Sequence, residues 1–459
     1  FNYRPWELKK TESIDVMDAL GSAIRIDARG PEVMRVLPRI NEEINEEWAS
    51  DKTRHAVDGL VRRRLDKPYR RKDGKLVPVT WGEAFDAIAA VNAGSSVAAV
   101  AGPLVDCETL YAAKVLLRSM GSDLLEGRDN GLTYDTSSLA AVNFNSTIAG
   151  IETADAILLV GSNVRWEAPL VNTRIRKAVK RGAKVWAIGP EVDLTYPVTW
   201  LGNDLSLLGN LPGELTDLFA KAQRPAVIVG GGAIKAAQGA TLALVDSLGL
   251  IKDGWNGYNV LHISAARMGG LMLGYARTGG MADIVAAAPK LLFLLGAEDV
   301  AAETVSGSFK VYVGHHGDRG AALADVILPA AAYSEKPGTY VNLEGRVQRG
   351  DRAVFPPGDA REDWAILRAL SDVLGHTLPF DSFDALHTQM AAEVPALGNV
   401  GAIASFDWSV PSLDRSASGE IAYPIQDFYL TNAIARASDT MHRCSSELLH
   451  GESFAEAAE

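Results

Sequence analysis

Short apolar runs, rich in β-branched residues and each closed by a glycine, recur along this chain. They are Val97-Ala98-Ala99-Val100-Ala101-Gly102, Ala156-Ile157-Leu158-Leu159-Val160-Gly161, Lys184-Val185-Trp186-Ala187-Ile188-Gly189, Ala226-Val227-Ile228-Val229-Gly230, Leu291-Leu292-Phe293-Leu294-Leu295-Gly296 and Val311-Tyr312-Val313-Gly314. Segments of helical period lie between several of them. A strand buried on both faces of a parallel sheet reads as a near-continuous apolar run. Strands that alternate with helices imply βαβ units and doubly wound sheets. The fold class expected is α/β, with two such domains at residues 58–220 and 221–375.

The ends read differently. Ala23-Ile24-Arg25-Ile26-Asp27-Ala28-Arg29-Gly30 alternates polar and apolar residues, and Glu32-Val33-Met34-Arg35-Val36-Leu37 repeats the pattern. Alternation is the mark of strands with one solvated face, so residues 1–57 are expected to form a small β lobe. Beyond residue 376 periodic segments thin out, and residues 376–459 read as an extended C-terminal tail.

Composition narrows the function. The chain has 459 residues, 47% hydrophobic and 22% charged, the range of ordinary globular proteins. No apolar run approaches the ~20 residues that a membrane helix requires. Phe1-Asn2-Tyr3-Arg4-Pro5-Trp6 has no apolar core of a signal peptide, and the chain does not begin with Met, so it is expected to be a piece of something longer. A net charge of −12 argues against nucleic acid as the main partner, because phosphate binding needs a basic face. One basic cluster stands out: Arg62-Arg63-Arg64, Lys67, Arg70-Arg71-Lys72 and Lys75, interrupted by Asp66 and Asp73, with turns at Pro68 and Gly74. It reads as a solvated loop or a docking surface for an acidic neighbour. The two cysteines, Cys107 and Cys444, cannot supply the four thiolates that a four-iron cluster normally takes.

Candidate chemistry is sparse. Gly161-Ser162-Asn163 and Gly230-Gly231-Gly232 follow strands and could admit a phosphate. Neither completes a dinucleotide or P-loop pattern, so tight strand–helix turns are the preferred reading. His315-His316, with Asp318 beyond, follows a strand. Adjacent residues on an extended segment point to opposite faces, which disfavours a shared metal. There is no G-x-S-x-G turn and no C-x-x-C.

One stretch is distinctive. Ala324-Asp325-Val326-Ile327-Leu328-Pro329, then Glu335, Gly338-Thr339, Asn342 and Glu344-Gly345-Arg346-Val347-Gln348, resembles the signature of the molybdopterin oxidoreductases. Ala360-Arg361-Glu362-Asp363-Trp364 follows at the expected distance, and Lys75-Leu76-Val77-Pro78-Val79-Thr80-Trp81 looks like that family's lead into its first α/β domain. Within that superfamily the chain resembles the large iron–sulfur subunit of respiratory complex I. The residues that carry this are Arg4-Pro5-Trp6-Glu7, Lys10 to Asp18, Asn45-Glu46-Glu47-Trp48, Ser50-Asp51-Lys52-Thr53-Arg54, Gly314 to Asp318 and Asp427-Phe428-Tyr429-Leu430-Thr431.

The resemblance implies specific departures. Members of the superfamily often open with C-x-x-C-x-x-x-C and a fourth cysteine that hold a 4Fe–4S cluster. Here those positions carry Asp15, Asp18, Ser22 and Ser50. Carboxylate and hydroxyl oxygens substitute poorly for thiolate at such iron, so residues 1–57 are expected to be a vestige of that domain. Active members carry a metal-ligating Cys, selenocysteine or Ser in the first α/β domain; here Ser137 and Ser138 lie in a plausible region, but nothing around them matches a ligand motif. The terminal β-barrel of the active enzymes is expected to be absent.

The function expected is therefore a non-catalytic scaffold within NADH:quinone oxidoreductase. No catalytic, cofactor-binding or metal residue is assigned, and no cofactor is expected in this chain. The 2Fe–2S and 4Fe–4S clusters of the parent subunit are expected in an N-terminal region outside it, without molybdenum. The partners implied are other peripheral-arm subunits. The site implied is the cytoplasmic face of a bacterial plasma membrane, or the matrix face of the mitochondrial inner membrane. The competing reading is an active molybdenum or tungsten bis-pterin oxidoreductase.

Overall fold

The computed structural model describes residues 3–451. Three strands open the chain: β1 (Lys9–Ile14), β2 (Ala23–Arg29) and β3 (Glu32–Pro38). They pair antiparallel in the order β1-β2-β3. The alternation along Ala23–Arg29 follows from the core it covers, since Ile24 and Ile26 are fully buried with Val36 and Leu60.

Next come a hairpin of β4 (Tyr69–Lys72) and β5 (Lys75–Pro78), then β6 (Val97–Ala101) and β7 (Leu124–Glu126). They are followed by β8 (Ala156–Val160), β9 (Lys184–Ile188), β10 (Thr199–Gly202) and β11 (Pro225–Val229). A small ribbon, β12 (Ile251–Lys252) with β13 (Trp255–Asn256), precedes β14 (Tyr258–Val260). The series ends with β15 (Leu291–Leu295), β16 (Phe309–Gly314), β17 (Val326–Pro329) and the hairpin β18 (Gly338–Val341) with β19 (Val347–Gly350).

Two larger sheets result. One has the order β10-β9-β8-β11-β14 and is parallel throughout. The other has the order β5-β4-β17-β16-β15-β6-β7, parallel from β17 to β7, with the antiparallel hairpin at one edge. Every side chain of β6, β8, β11 and β15 is buried, as near-continuous apolar runs require in sheets covered on both faces.

The sheets are not consecutive blocks of sequence. The five-stranded sheet, drawn from residues 156–260, is inserted between β7 and β15 of the seven-stranded one. The expected division between residues 220 and 221 runs through the five-stranded sheet, between β10 and β11. Apolar periodicity reports that a strand is buried, not which strand lies beside it.

Helices cover the sheets where local chemistry lets them start. Asp106 caps the helix Cys107–Ser119 by accepting the Thr109 N–H at 2.8 Å. Thr80 and Glu83 form a capping box at Trp81–Ala89. After helices Asp363–Val373 and Phe383–Glu393, the chain runs without regular structure along the five-stranded sheet. It ends in short helical turns against the N-terminal lobe, where the Ser438 hydroxyl donates to Asp58. Among the described residues, no helix is long and apolar enough to cross a membrane.

Candidate functional site

The four positions aligned with cluster-binding cysteines converge. Asp15 is 1% exposed. Its carboxylate accepts the Thr53 hydroxyl at 2.8 Å and the Met17 N–H at 3.2 Å, while its own N–H donates to the Ser22 carbonyl at 2.8 Å. Ser50 caps the short helix Asp51–His55, and its hydroxyl lies 2.7 Å from that of Thr53. Asp18 accepts the Leu20 N–H at 2.8 Å.

A residue that sequence reasoning did not single out completes the cluster. Lys52 is buried, donates to the Thr431 hydroxyl at 2.9 Å and stands 4.5 Å over the Phe428 ring. Burial pushes the Asp15 carboxyl up to about 7, and the Asp18 charge adds to the rise. Burial pulls the Lys52 ammonium down to about 8 against the opposing pull of Asp18 and Asp15. The donor atoms offered by the four aligned positions are oxygens, and those of Asp15, Asp18 and Ser50 are engaged within the protein. They do not fit a thiolate-held cluster, and Cys107 and Cys444 lie outside this lobe.

Asp18 and Lys52 line a cavity where the lobe, both sheets and the tail meet. Its volume is about 60 Å³, and Asp129, Glu167, Arg267 and Asn432 also face it. Burial raises Asp129 to about 6, with Asp299 adding to the effect. Burial likewise raises Glu167 to about 7.

Glu167 sits at the topological switch point of the five-stranded sheet, where β8 turns to β9 on one side and β11 lies on the other. Ligands of open α/β sheets bind in that crevice. Here Glu167 and the tail segment Ile421–Pro424 occupy its inner part, and an open cleft of about 590 Å³ lies beside it, lined by Asn163, Arg165, Pro190 and Tyr423. One oxygen of Glu167 accepts the Asn163 N–H at 2.7 Å, and the Gly231 N–H and Ser162 hydroxyl also act on the carboxyl, against the effect of burial. The tail closes the outside: the Tyr423 hydroxyl donates to the Pro190 carbonyl at 2.6 Å. A Cβ on Gly232 would come within 2.8 Å of the Ala422 carbonyl, and one on Gly231 within 2.9 Å of Pro424. Gly161, at φ +60°, would bring a Cβ within 2.6 Å of Ala233. The glycines serve close packing of strand, helix and tail.

The remaining candidates separate. His315 and His316 do not diverge as an extended segment would have it. Their rings meet edge to face, Nδ1 against Nδ1, and His316 Nε2 contacts the Gly59 carbonyl at 2.7 Å. Burial first, then mutual repulsion, lowers His315 well below its usual range, and burial lowers His316 to about 4. Asp318 pairs with Arg436 at 2.6 Å. Ser137 is exposed and donates to Asp135. Ser138 is buried.

The molybdopterin-like signature holds parts of the fold together. One Glu344 oxygen accepts the Ile148 N–H at 2.7 Å and the other accepts Arg346 Nε at 2.8 Å. Asn342 donates to the Leu20 carbonyl at 3.1 Å, and Gln348 to that of Gly21 at 2.7 Å. Thr339 donates through both N–H and hydroxyl to Glu108, at 2.8 and 2.6 Å. Lys336 is held between Asp106, at 2.6 Å, and Asp363.

Three family models match successive parts of the chain. The molybdopterin oxidoreductase model matches residues 64–373. A 4Fe–4S domain model of the NADH-ubiquinone oxidoreductase NDSU1/NuoG-like type matches residues 8–58, and a model of the C-terminal part of the same NADH-ubiquinone oxidoreductase subunit matches 408–444. The chain belongs to the family of large iron–sulfur subunits of complex I.

Its relatives in that family come from mitochondria and bacteria. It is 40% identical to the NADH-ubiquinone oxidoreductase 75 kDa subunit of Reclinomonas americana, over 97% of this chain and 69% of that one. It is 42% identical to the mitochondrial 78 kDa subunit of Neurospora crassa, over 98% of this chain and 64% of that one. It is also 42% identical to the corresponding NADH-quinone oxidoreductase subunit of Rickettsia prowazekii, over 97% of this chain and 67% of that one. The chain thus spans about two thirds of the length of these relatives. The match at 8–58 corrects one expectation. The family's 4Fe–4S domain lies within this chain, which overturns the expectation that this chain carries no cofactor and that the clusters lie only in sequence outside it.

Proposed function

We propose that this chain is the scaffold portion of the large iron–sulfur subunit of an NADH:quinone oxidoreductase. It supports electron transfer from NADH to quinone without a catalytic site of its own, and it docks against other peripheral-arm subunits. The observation that carries this reading is the small size of the cavity where the lobe and the two sheets meet. Pockets that hold an organic cofactor commonly measure ~300–1,000 Å³, whereas the cavity between the lobe and the two sheets measures about 60 Å³. Glu167, Lys52 and the tail segment Ile421–Pro424 occupy the surrounding space.

The test is elemental analysis of the chain, purified within its complex after growth with molybdate and tungstate supplied. Near-zero molybdenum and tungsten is the expected result. A stoichiometric amount of either metal would overturn the scaffold reading and favour a working bis-pterin oxidoreductase. Co-purification with NADH-oxidising activity of the other subunits is the companion expectation.

A further inference from the structure

Eight cations lie between Arg62 and Lys75, and the fold uses three of them. Arg64 donates to Glu335 and to the His315 and Leu60 carbonyls. Arg71 donates to the carbonyls of Ala322, at 2.7 Å, and Ala324, at 2.9 Å, which pins the β4–β5 hairpin to the edge of the seven-stranded sheet. Arg62 pairs with Asp439. Arg63, Lys67, Arg70, Lys72 and Lys75 make no ion pair among the described residues.

Three of these five share one face of the hairpin. Arg70 and Lys72 alternate outward along β4, while Tyr69 and Arg71 are half-buried. Lys75 stands directly across from Lys72. Like charges directly opposite each other on neighbouring strands are destabilising. The nearby carboxylate of Glu83 feels both Lys72 and Arg70, but it is committed to capping the Thr80 N–H at 2.8 Å. The turn fixes this arrangement, because Asp73 and Gly74 both have positive φ, at +50° and +78°, as a two-residue type I′ turn requires. A rigid cationic face therefore projects from a chain whose net charge is −12.

We infer that this hairpin face, Arg70, Lys72 and Lys75, is the docking site for an acidic segment of another subunit of the complex. The assignment rests on the scaffold reading above. Charge complementarity names the partner's chemistry, since Arg70, Lys72 and Lys75 outnumber the one carboxylate of their turn, Asp73, none of the three makes an ion pair among the described residues, and an acidic segment would relieve the Lys72–Lys75 repulsion. A lipid surface fits less well. Membrane-surface elements pair cations with inserted apolar side chains, and between Tyr69 and Pro78 no large apolar side chain is exposed.

The test is zero-length carbodiimide cross-linking of the assembled complex, read by mass spectrometry. Lys72 or Lys75 joined to an Asp or Glu of another subunit is the expected product. A chain carrying Arg70→Glu, Lys72→Glu and Lys75→Glu should bind the remaining subunits about tenfold more weakly at low salt, the sum of three exposed pairs. The difference should close as salt screens it. Full affinity in the variant would overturn the assignment. So would cross-links confined to this chain or joining two copies of it, distinguished by isotope labelling. Binding of the wild type, but not the variant, to phosphatidylcholine vesicles containing phosphatidylserine would instead assign the face to a membrane. Failure to co-purify with any complex subunit would end the scaffold reading and this assignment together; co-purification without the cross-links would end the assignment alone.

Discussion

The Lys52 ammonium donates to the Thr431 hydroxyl at 2.9 Å, across 379 residues of sequence. This bond, with the Phe428 ring beneath the same ammonium, ties the N-terminal lobe to the tail. Lys52 also faces the buried carboxyls of Asp15 and Asp18.

Replacing Lys52 by Met should cost about 3 kcal/mol, because removing one member of a buried charged group leaves the others uncompensated. Urea denaturation of the two proteins measures the difference. The double variant Lys52→Met, Asp18→Asn should recover part of the loss. No recovery would show that Lys52 acts through packing alone.

Glu167 predicts a pH dependence with a definite sign. Burial raises its folded pKa from 4.5 to about 7. The folded protein therefore keeps a proton that the unfolded chain releases across that interval. Its contribution is fully present below the ordinary glutamate range and is lost as pH rises through about 7. The loss amounts to about 3 kcal/mol. In Glu167→Gln that share of the decline should vanish, as unfolding free energies at pH 5 and pH 7.5 would reveal. An unchanged slope would mean that Glu167 is ionised in the folded protein.

The signature residues should behave as structural ones. Glu344→Ala strands the Ile148 N–H and leaves Arg346 without its buried carboxylate. The expected cost is about 2–3 kcal/mol, read as a lowered midpoint of thermal unfolding. Electron transfer per assembled complex should not change. A loss of turnover at wild-type stability would place Glu344 in the chemistry.

Gly232→Val should lift the tail from the switch-point crevice, because the space beside Gly232 is taken by the Ala422 carbonyl and Ile421. Trypsin should then cut faster at the exposed Arg415. Unaltered cleavage would show that the tail is held elsewhere.

Much of this structure was legible in the chain. The run Leu291–Leu295 is a fully buried central strand, as its unbroken apolar character implies. Ala23–Arg29 and Glu32–Pro38 pair as the alternation suggested. The sheet membership was not legible, because Val97 beside Leu291 is a relation between strands that neither run encodes locally. Lys52 escaped notice for another reason. In Ser50-Asp51-Lys52-Thr53-Arg54 a lysine reads as solvated, and only the packed tail reveals it as buried. The aligned positions Asp15, Asp18, Ser22 and Ser50 were found through spacing, and the structure sets the carboxyls of Asp15 and Asp18 against that lysine. The expectation of no cofactor in this chain leaned on cysteine scarcity, which reports donor atoms and not the domain to which a segment belongs.

The insertion of one sheet within another orders events during biosynthesis. The inserted strands, β8 to β14, all leave the ribosome before Leu291, so their sheet can form as soon as it emerges. The strand Val97–Ala101 must meanwhile wait for its neighbour Leu291–Leu295. Nascent chains fold unit by unit from the N-terminal side, and an apolar edge left unpaired is prone to aggregate. The edge of β6 that later meets β15 thus stays unpaired for the interval that it takes to translate the insert.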